Sequence, residues 1–458
     1  MAMMAKQKSE KKLVIDEHTP LMFLAAPMFL EMLLNILVNN VDTLMLSHYS
    51  ELAVGAVGNA NQVMFLLILL FNIIATSTSI VVAQYLGAKQ YAKMNIIYTL
   101  SFVVNIIFGI VLSTAFVMSG KGIMKLLKVP EEMVPDALTY ITIVGGTMFL
   151  MAGYNVMLQI LRCNGHAKVG TYISIVINVI NIVGNYLFLY GPWEKYKLGV
   201  AGVAIPTVFA RFVALICAIA FFYYKKIGRF SIKYLRPFPG GMLLELIKIG
   251  LPSAGENISY NIYQLVLLSF INGMGYEAVN AKVYCNSLTQ FVMVFSNNAA
   301  MATQIIVGHL VGAGKTEAAY KRAFSTLKVS LPITIGLSVV NVLLSPYSLK
   351  LFTLNEQIIH LGFFILIVDI VIEIGRCLNM TFVSSLKAAG DYMFPLIVGL
   401  ITMWGIGVVV GYTCGVAFGL GVAGVFIGTA SDEFIRGLIV LRRWVQKKWM
   451  GKSLVDSD

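Results

Sequence analysis

Twelve long apolar stretches divide the chain, and they constrain its fold more than any other feature. A helix needs about 20 mostly apolar residues to cross the hydrocarbon core of a bilayer. Stretches of this kind lie near residues 19–46, 53–82, 95–119, 135–160, 169–191, 200–224, 246–272, 278–307, 329–349, 358–383, 391–414 and 420–441. They are too continuous for the alternating strands of a membrane β-barrel. The sequence therefore predicts an all-α integral membrane protein with twelve transmembrane helices.

The composition excludes the common soluble classes. Of the 458 residues, 58% are apolar and only 12% are charged, whereas soluble domains are about 25% charged. So few charges cannot cover the surface of a soluble fold of this size, which excludes a soluble enzyme, a nucleic-acid-binding domain and a disordered scaffold. We expect a multi-pass protein of the plasma membrane that acts as a monomer, with the lipid bilayer rather than nucleic acid as its partner.

Lysine and arginine are distributed unevenly among the connecting segments. If the N-terminus is cytoplasmic, 23 of the 34 lie in cytoplasmic segments, and six lie on the other side, at positions 121, 125, 128, 195, 197 and 350. Cytoplasmic loops usually carry this excess, so both termini are predicted to be cytoplasmic. Five more fall within or at the edge of predicted spans, namely Arg211, Lys248, Lys282, Arg376 and Arg436.

The two halves of the chain repeat at a nearly constant offset of 225 residues. Aligned pairs include Pro27 with Pro252, Asn61 with Asn286, Gly87 with Gly312, Leu161 with Leu386 and Gly165 with Gly390. Each half has six spans, an even number, so both halves enter the membrane from the same side. This parallel repeat predicts two six-helix bundles related by a pseudo-two-fold axis along the membrane normal.

The repeat also defines the domain organisation. It predicts a cytoplasmic N-terminal tail (1–18), an N-lobe (19–224), a cytoplasmic linker (225–245), a C-lobe (246–441) and a cytoplasmic C-terminal tail (442–458). The linker is basic and contains RPFPGG, which disfavours a continuous helix. The expected motion is a rocking of one bundle against the other, which would give alternating access to a cleft between them.

A polar face on the first span marks the first candidate site. Glu31, Asn35, Asn39 and Asp42 follow one another at helical spacing and share one face. Ionisable residues inside a membrane are costly and usually line a wet interior. Asp42 is therefore predicted to bind a cation or proton, and Glu31 and Asn35 to line a substrate cleft. A permanently paired structural role for Asp42 and an interfacial position for Glu31 remain open. Pro27 is a predicted helix bend, because it removes a backbone hydrogen bond.

Neutral oxygens in the fifth and sixth spans could complete a site with Asp42. Asn181 and Asn185 share a helical face, and Thr207 lies in the next span. Amide and carboxylate oxygens suit a hard cation, so these residues are predicted to form the coupling site. Asp42, Asn181 and Asn185 would hold the metal ion if the coupling ion is Na+. The alternative is ordinary hydrogen bonding between helices.

The second half carries a different set of polar residues, since the repeat partner of Asp42 is Leu267. Six side chains are predicted to line the substrate cleft from this half, namely Glu256, Tyr260, Gln264, Asp369, Glu373 and Arg376. Glu373 and Arg376 are three residues apart, so a structural ion pair along one helix is the favoured interpretation for these two. Glu256 could instead be a carboxylate that only lines a wet cleft.

The chain resembles the multidrug and toxic compound extrusion (MATE) family over roughly residues 15–445. The resemblance is carried by AAPMFLEMLLNILVNNVDTLMLSHYS, VVAQYLGAKQ, NIVGNYLFLYG, LGVAGVAIPT, IGLPSAGENI and VGHLVGAGK, in that order. It implies a V-shaped pair of bundles that exports organic, often cationic, compounds in exchange for inward Na+ or H+. It also implies that Asp42, Asn181, Asn185 and Thr207 form the cation site. No cofactor is expected beyond the coupling ion.

Two departures from the NorM-like branch of that family concern the C-lobe. Tyr260 stands where that branch has a glutamate, and Arg376 stands where it has an aspartate. The coupling site is therefore expected in the N-lobe.

Three other functions would also suit a polytopic membrane protein, and each predicts a different sequence feature. A lipid-linked oligosaccharide flippase of the same superfamily should have a more cationic cleft, and a membrane enzyme such as an acyltransferase should have a His/Asp or Cys/His constellation. A channel would not need asymmetric polar sites in two repeated halves. His309 occupies the position of the first glycine of a Walker A motif, so ATP is not expected to drive the chain directly.

Overall fold

The computed structural model describes residues 15–127, 129–193 and 198–455. This part of the chain is helical, without β-strands. Its twelve long helices are α1 Leu21–Tyr49, α2 Glu51–Gly87, α3 Tyr91–Leu126, α4 Glu131–Cys163, α5 Ala167–Leu189, α6 Ala201–Tyr224, α7 Gly240–Asn272, α8 Tyr276–Gly312, α9 Thr316–Ser348, α10 Glu356–Ala388, α11 Met393–Ala417 and α12 Gly421–Val445. Lys128, Lys195, Lys197, the N-terminal tail up to residue 14 and residues 456–458 lie outside the described ranges.

The predicted number and order of the helices are confirmed. Ten of the described helices are long and apolar enough to cross a membrane; the other two, α7 and α12, are not among them. Helix α7 begins at Gly240 rather than near residue 246, directly after Pro239. The last residues of the predicted linker 225–245 are therefore helical. Proline is compatible with this position, because the first residues of a helix do not use their N–H groups within it.

Three hydrophobic cores define the arrangement of the lobes. One core contains residues from both halves, among them Val82, Ile160, Ile306, Leu386 and Trp444. The second core contains only N-lobe residues and the third only C-lobe residues. The shared core occupies the helix ends that lie near the linker, which we call the linker end. The separate cores occupy the opposite, open end, so the two six-helix lobes join at one end and diverge at the other in a V.

The repeat is visible where α2 crosses α8 at the linker end. Gly87 packs against the carbonyl group of His309, and Gly312 packs against the carbonyl group of Gln84. Positions 84 and 309 are themselves repeat partners, so the two contacts are symmetric. A Cβ on either glycine would overlap backbone atoms, and glycine alone permits this approach. The pseudo-two-fold axis therefore passes between α2 and α8.

Helix α1 continues through Pro27 from Leu21 to Tyr49. The Thr171 hydroxyl donates a hydrogen bond to the Pro27 carbonyl oxygen at 2.8 Å, which joins α1 to α5 near the proline. The bend at Pro27 stays a prediction.

Candidate functional site

The four coupling-site residues lie in one chain of side-chain hydrogen bonds. The amide nitrogen of Asn185 donates to Asp42 Oδ1 at 2.8 Å and to Asn181 Oδ1 at 2.9 Å. The amide nitrogen of Asn181 donates to Thr207 Oγ1 at 3.3 Å. The four-residue spacing places both asparagines on one face of α5, and that face meets α1 and α6. Residues predicted from three separate helices are thus contiguous.

This hydrogen-bonded chain leaves one buried oxygen without a hydrogen bond and one carboxylate without an ion pair among the described residues. Asn185 is fully buried, and its Oδ1 atom accepts no hydrogen bond from the described residues. Asp42 forms no ion pair with any described cation. No group of three or more His, Cys, Asp or Glu suited to a metal ion occurs in the described ranges. A site built from one carboxylate and several amide and hydroxyl oxygens remains suited to H+ or Na+.

Two further residues lie beside this chain of hydrogen bonds. Tyr140 of α4 is buried, is hydrogen-bonded to Asn61 and lies close to both Asp42 and Arg211. Arg211 follows Thr207 by one turn of α6, and its Nη1 atom is buried without a hydrogen-bond partner. Tyr140 was missed from sequence, because one tyrosine in an apolar span looks like a packing residue.

Two of the predicted cleft carboxylates form ion pairs within their lobes. Glu31 Oε2 lies 2.9 Å from Arg162 Nη2, and Glu256 Oε2 lies 2.7 Å from Lys387 Nζ. Positions 31 and 256 are repeat partners, and so are 162 and 387, so the two pairs are related by the internal symmetry. The sequence count placed both cations in the cytoplasmic segments that follow the fourth and tenth spans. In the structure they belong to the last turns of α4 and α10. Contact of Glu31 or Glu256 with substrate stays a prediction.

Arg162→Met is expected to destabilise the protein, because it leaves the Glu31 carboxylate buried without a cation. Breaking a buried pair in this way lowers the free energy of unfolding by about 3 kcal/mol or more. The check is thermal unfolding of the detergent-purified protein. The double variant Glu31→Gln/Arg162→Met should regain most of the stability. Lys315→Met, which removes an exposed pair with Glu17, should behave as wild type. Equal stability of Arg162→Met and wild type would refute a stabilising pair.

The C-lobe contains a larger charge network. Arg376 pairs with Glu373, as the favoured interpretation of their spacing requires, and its Nε atom lies 3.6 Å from Glu433. Arg436 pairs with Asp432 at 2.7 Å and with Glu433 at 3.6 Å. Asp432 and Glu433 were missed from sequence, although the four-residue spacing of Asp432 and Arg436 is typical of a helical ion pair.

A cavity of about 520 Å³ opens beside this network. Four of the predicted cleft residues line it, namely Tyr260, Gln264, Asp369 and Arg376. Glu256 and Glu373 are not among its lining residues. Asn35, in the N-lobe, accepts a hydrogen bond from Ser174 at 3.4 Å. The structure thus brings four of the eight cleft candidates to one cavity.

Symmetric hydrogen bonds close the linker end. Gln84 Nε2 donates to the Ala388 carbonyl oxygen at 2.6 Å, and His309 Nε2 lies 2.8 Å from the Cys163 carbonyl oxygen. Each bond joins one lobe to the other. Because the four positions are repeat partners in pairs, the two bonds are related by the internal symmetry.

Two segments without a repeat partner reinforce this closure. The Ser453 hydroxyl and the Leu454 backbone N–H both donate to Gln84 Oε1, at 3.2 and 2.8 Å. The second segment is the stretch before α1. Its Glu17 Oε1 lies 2.9 Å from Lys315 Nζ, and this hydrogen bond lowers the pKa of Glu17. The structure therefore has a closed linker end and an open opposite end.

Comparisons with known proteins agree with this architecture. The MatE family pattern matches residues 27–187 and 252–413, once in each lobe. The chain is 34% identical over 439 residues to the uncharacterized transporter YisQ of Bacillus subtilis (strain 168), covering 96% of each chain. It is 24% identical over 455 residues to the probable multidrug resistance protein NorM of Thermotoga maritima, covering 98% of this chain and 96% of the other.

Solved structures share the whole fold. A crystal structure of MATE in the bent conformation superimposes with a TM-score of 0.88 at 20% identity, over 97% of this chain and 98% of the other. The outward-facing conformation of a multidrug resistance MATE family transporter gives a TM-score of 0.85 at 21% identity, over 96% and 98%. Both repeats, the V-shaped fold and the family match agree, and the chain belongs to the MATE family of multi-pass membrane transporters.

Proposed function

We propose that this chain is a secondary active exporter that moves organic, often cationic, compounds outward in exchange for inward Na+ or H+. The observation that carries the proposal is the hydrogen-bonded chain from Thr207 to Asp42. Among the described residues, the Asp42 carboxylate has no ion pair and the Asn185 oxygen has no hydrogen-bond donor. Relatives named as multidrug resistance proteins support the same class of cargo. The C-lobe cavity beside Asp369 is the proposed substrate site.

The coupling follows from the different preferences of cation and substrate for two conformations. A cation that enters from the open end binds Asp42 with the oxygens of Asn181, Asn185 and Thr207. Its charge neutralises Asp42 and removes the cost of burying that carboxylate, which favours closure around the site. Substrate must favour the other state, since only differential affinity can couple two ligands. The linker end is the proposed cytoplasmic side, with both termini there, so this conformation would open outward.

Efflux from proteoliposomes tests the proposal. Purified protein is reconstituted, a fluorescent organic cation such as rhodamine 6G is loaded, and a Na+ or a H+ gradient is imposed separately. We expect transport under one gradient only, and its loss when an ionophore for that ion is added. Transport that is independent of both gradients would contradict a coupled exporter and favour a channel or flippase.

Gln84→Met is expected to weaken the closed linker end. The substitution keeps the length of the side chain but removes its hydrogen bonds to Ala388, Ser453 and Leu454. Buried polar groups left without partners lower the free energy of unfolding by about 1–3 kcal/mol. The check is the thermal unfolding midpoint in detergent, with Gln357→Met as the control, because Gln357 is exposed. Identical midpoints for the two variants would contradict a role of Gln84 in closure.

We further propose that the chain functions as a monomer without a cofactor. The candidate coupling site lies within the N-lobe and the cavity lies within the C-lobe of one chain. A second copy is therefore not needed to form either. Light scattering of the purified protein, corrected for detergent, should give the mass of one chain. A stable dimer would refute this part of the proposal.

A further inference from the structure

The C-lobe cavity is lined by both polar and apolar groups. Besides Tyr260, Gln264, Asp369 and Arg376, its polar lining includes Lys282, Asn286 and Gln290 from α8. Leu267, Ile271, Val425 and Phe426 supply apolar walls. A volume of about 520 Å³ lies within the range of pockets for drug-sized molecules, about 300–1,000 Å³.

Lys282 presents a positive charge to this cavity. It lies in the membrane-spanning helix α8, two turns from its start at the open end, and it is half-buried. Its ammonium group forms no ion pair or hydrogen bond with the described residues. Positive charges inside a span are costly and normally face a partner or a wet cavity. Within the described part of the chain, the cavity is the environment that Lys282 faces.

Asp369 presents a negative charge deeper in the same cavity. It is only 5% exposed, yet it forms no ion pair within the described ranges. Its nearest cation along α10 is Arg376, and that guanidinium group is already paired with Glu373 and Glu433. A buried carboxylate in this position gains most from a positively charged partner that enters the cavity.

The two unpaired charges lie far enough apart for one organic molecule to bridge them. Cys285 Sγ contacts the Gly362 carbonyl oxygen at 3.4 Å, which sets the register of the parallel helices α8 and α10. Lys282 lies three residues from this level toward the open end, and Asp369 lies seven residues from it toward the linker end. With a rise of about 1.5 Å per residue, the two residues are separated by about 15 Å along the helix axes. Asn286 and Gln290 follow Lys282 on α8 by four and eight residues. Their amides are therefore closer to the linker end than Lys282 is.

We propose that this cavity binds amphoteric organic compounds, with the cationic group of the ligand beside Asp369 and a carboxylate beside Lys282. Each end of such a ligand satisfies a charge that has no ion-pair partner among the described residues. A ligand with only a positive charge would leave Lys282 unpaired, so the carboxylate adds affinity. The inference deepens the proposed export function by naming the charge pattern of the cargo.

The test uses two dyes that differ only at the carboxyl group. Rhodamine 19 carries a free carboxylate and a cationic ring system, and rhodamine 6G is its ethyl ester. Fluorescence anisotropy measures their equilibrium binding to the detergent-purified protein, without any transport. We expect wild type to bind rhodamine 19 about tenfold more tightly, as one charge-assisted hydrogen bond requires. Lys282→Met should remove this preference by weakening rhodamine 19 alone, and Asp369→Asn should weaken both dyes.

Controls separate a binding role from a folding role. Lys282→Met should still bind rhodamine 6G like wild type, which reports an intact cavity, and Lys282→Arg should keep the preference for rhodamine 19. Equal binding of the two dyes to wild type, or equal loss of both in Lys282→Met, would overturn the inference. Tighter binding of the anion fluorescein than of rhodamine 19 would also overturn it. Gradient-driven efflux without dye discrimination would refute this inference alone, whereas discrimination without such efflux would refute only the exporter.

Discussion

Asp42→Asn should abolish gradient-driven efflux while the protein still folds. An asparagine at this position keeps an oxygen that can accept the hydrogen bond from Asn185, now 2.8 Å from Asp42 Oδ1. It removes the negative charge of the site. Without that charge a proton cannot be carried, and Na+ would lose its strongest ligand, since neutral oxygens alone bind a desolvated cation weakly. The variant should therefore retain its structure and lose the coupling between cation and substrate.

The measurement is efflux of rhodamine 6G from proteoliposomes under the gradient that drives wild type. We expect a fall to the rate of protein-free liposomes, with an unfolding midpoint close to that of wild type. Glu132→Gln is the matched control, because it removes one carboxylate that is exposed and outside the site. It should transport normally. Full coupled efflux by Asp42→Asn would refute the N-lobe coupling site, whatever the behaviour of the C-lobe.

Gly312→Val should block transport by a different route. A Cβ on Gly312 would overlap the carbonyl group of Gln84, where α8 crosses α2. The overlapping atoms belong to the backbone, so no side-chain rotation relieves the contact, and the helices must separate. Overpacking of this kind costs about 1–3 kcal/mol, which shifts a two-state equilibrium by about 5- to 150-fold. Closure at the linker end is disfavoured, and the transport cycle stalls.

Two readouts check this expectation. Efflux should fall about 5-fold or more, and Cys163, fully buried beside the His309 contact, should become reactive to N-ethylmaleimide in peptide mapping. Gly336→Val is the control, because a Cβ at Gly336 meets no atom within 4 Å. Wild-type efflux together with an unlabelled Cys163 would mean that this crossing does not govern closure.

The twelve helices and the two-lobed organisation were predictable from the sequence. Apolar length and the 225-residue offset are local or linear properties, and they do not depend on how the helices pack. The N-lobe site was predictable in part, because helical spacing groups Asp42 with its own helix and Asn181 with Asn185. Joining those groups was a hypothesis from the chemistry of their oxygens, which the family resemblance also implied, and the hydrogen bonds of Asn185 agree with it.

The ion pairs of Glu31 and Glu256 were not predicted, although the repeat contained the signal. Arg162 and Lys387 stand at the same offset of 225 as Glu31 and Glu256. A repeated acid with a repeated base indicates a symmetric ion pair. The count of loop charges concealed it, because both cations lie at the ends of apolar runs, where a buried residue and an interfacial residue have the same sequence surroundings.

The sequence by itself determined the membrane class, the helix number, the parallel repeat and the separate polar faces. These follow from the length of apolar runs and the helical period, which are set by backbone geometry and the thickness of the bilayer. Only the tertiary structure decided which charges on different helices are paired. Arg376 and Arg436 are held by neighbouring carboxylates, whereas Lys282, Asp369 and Asp42 are left without ion pairs among the described residues. Pairing depends on distances of a few ångströms between different helices, and helix packing alone sets those distances.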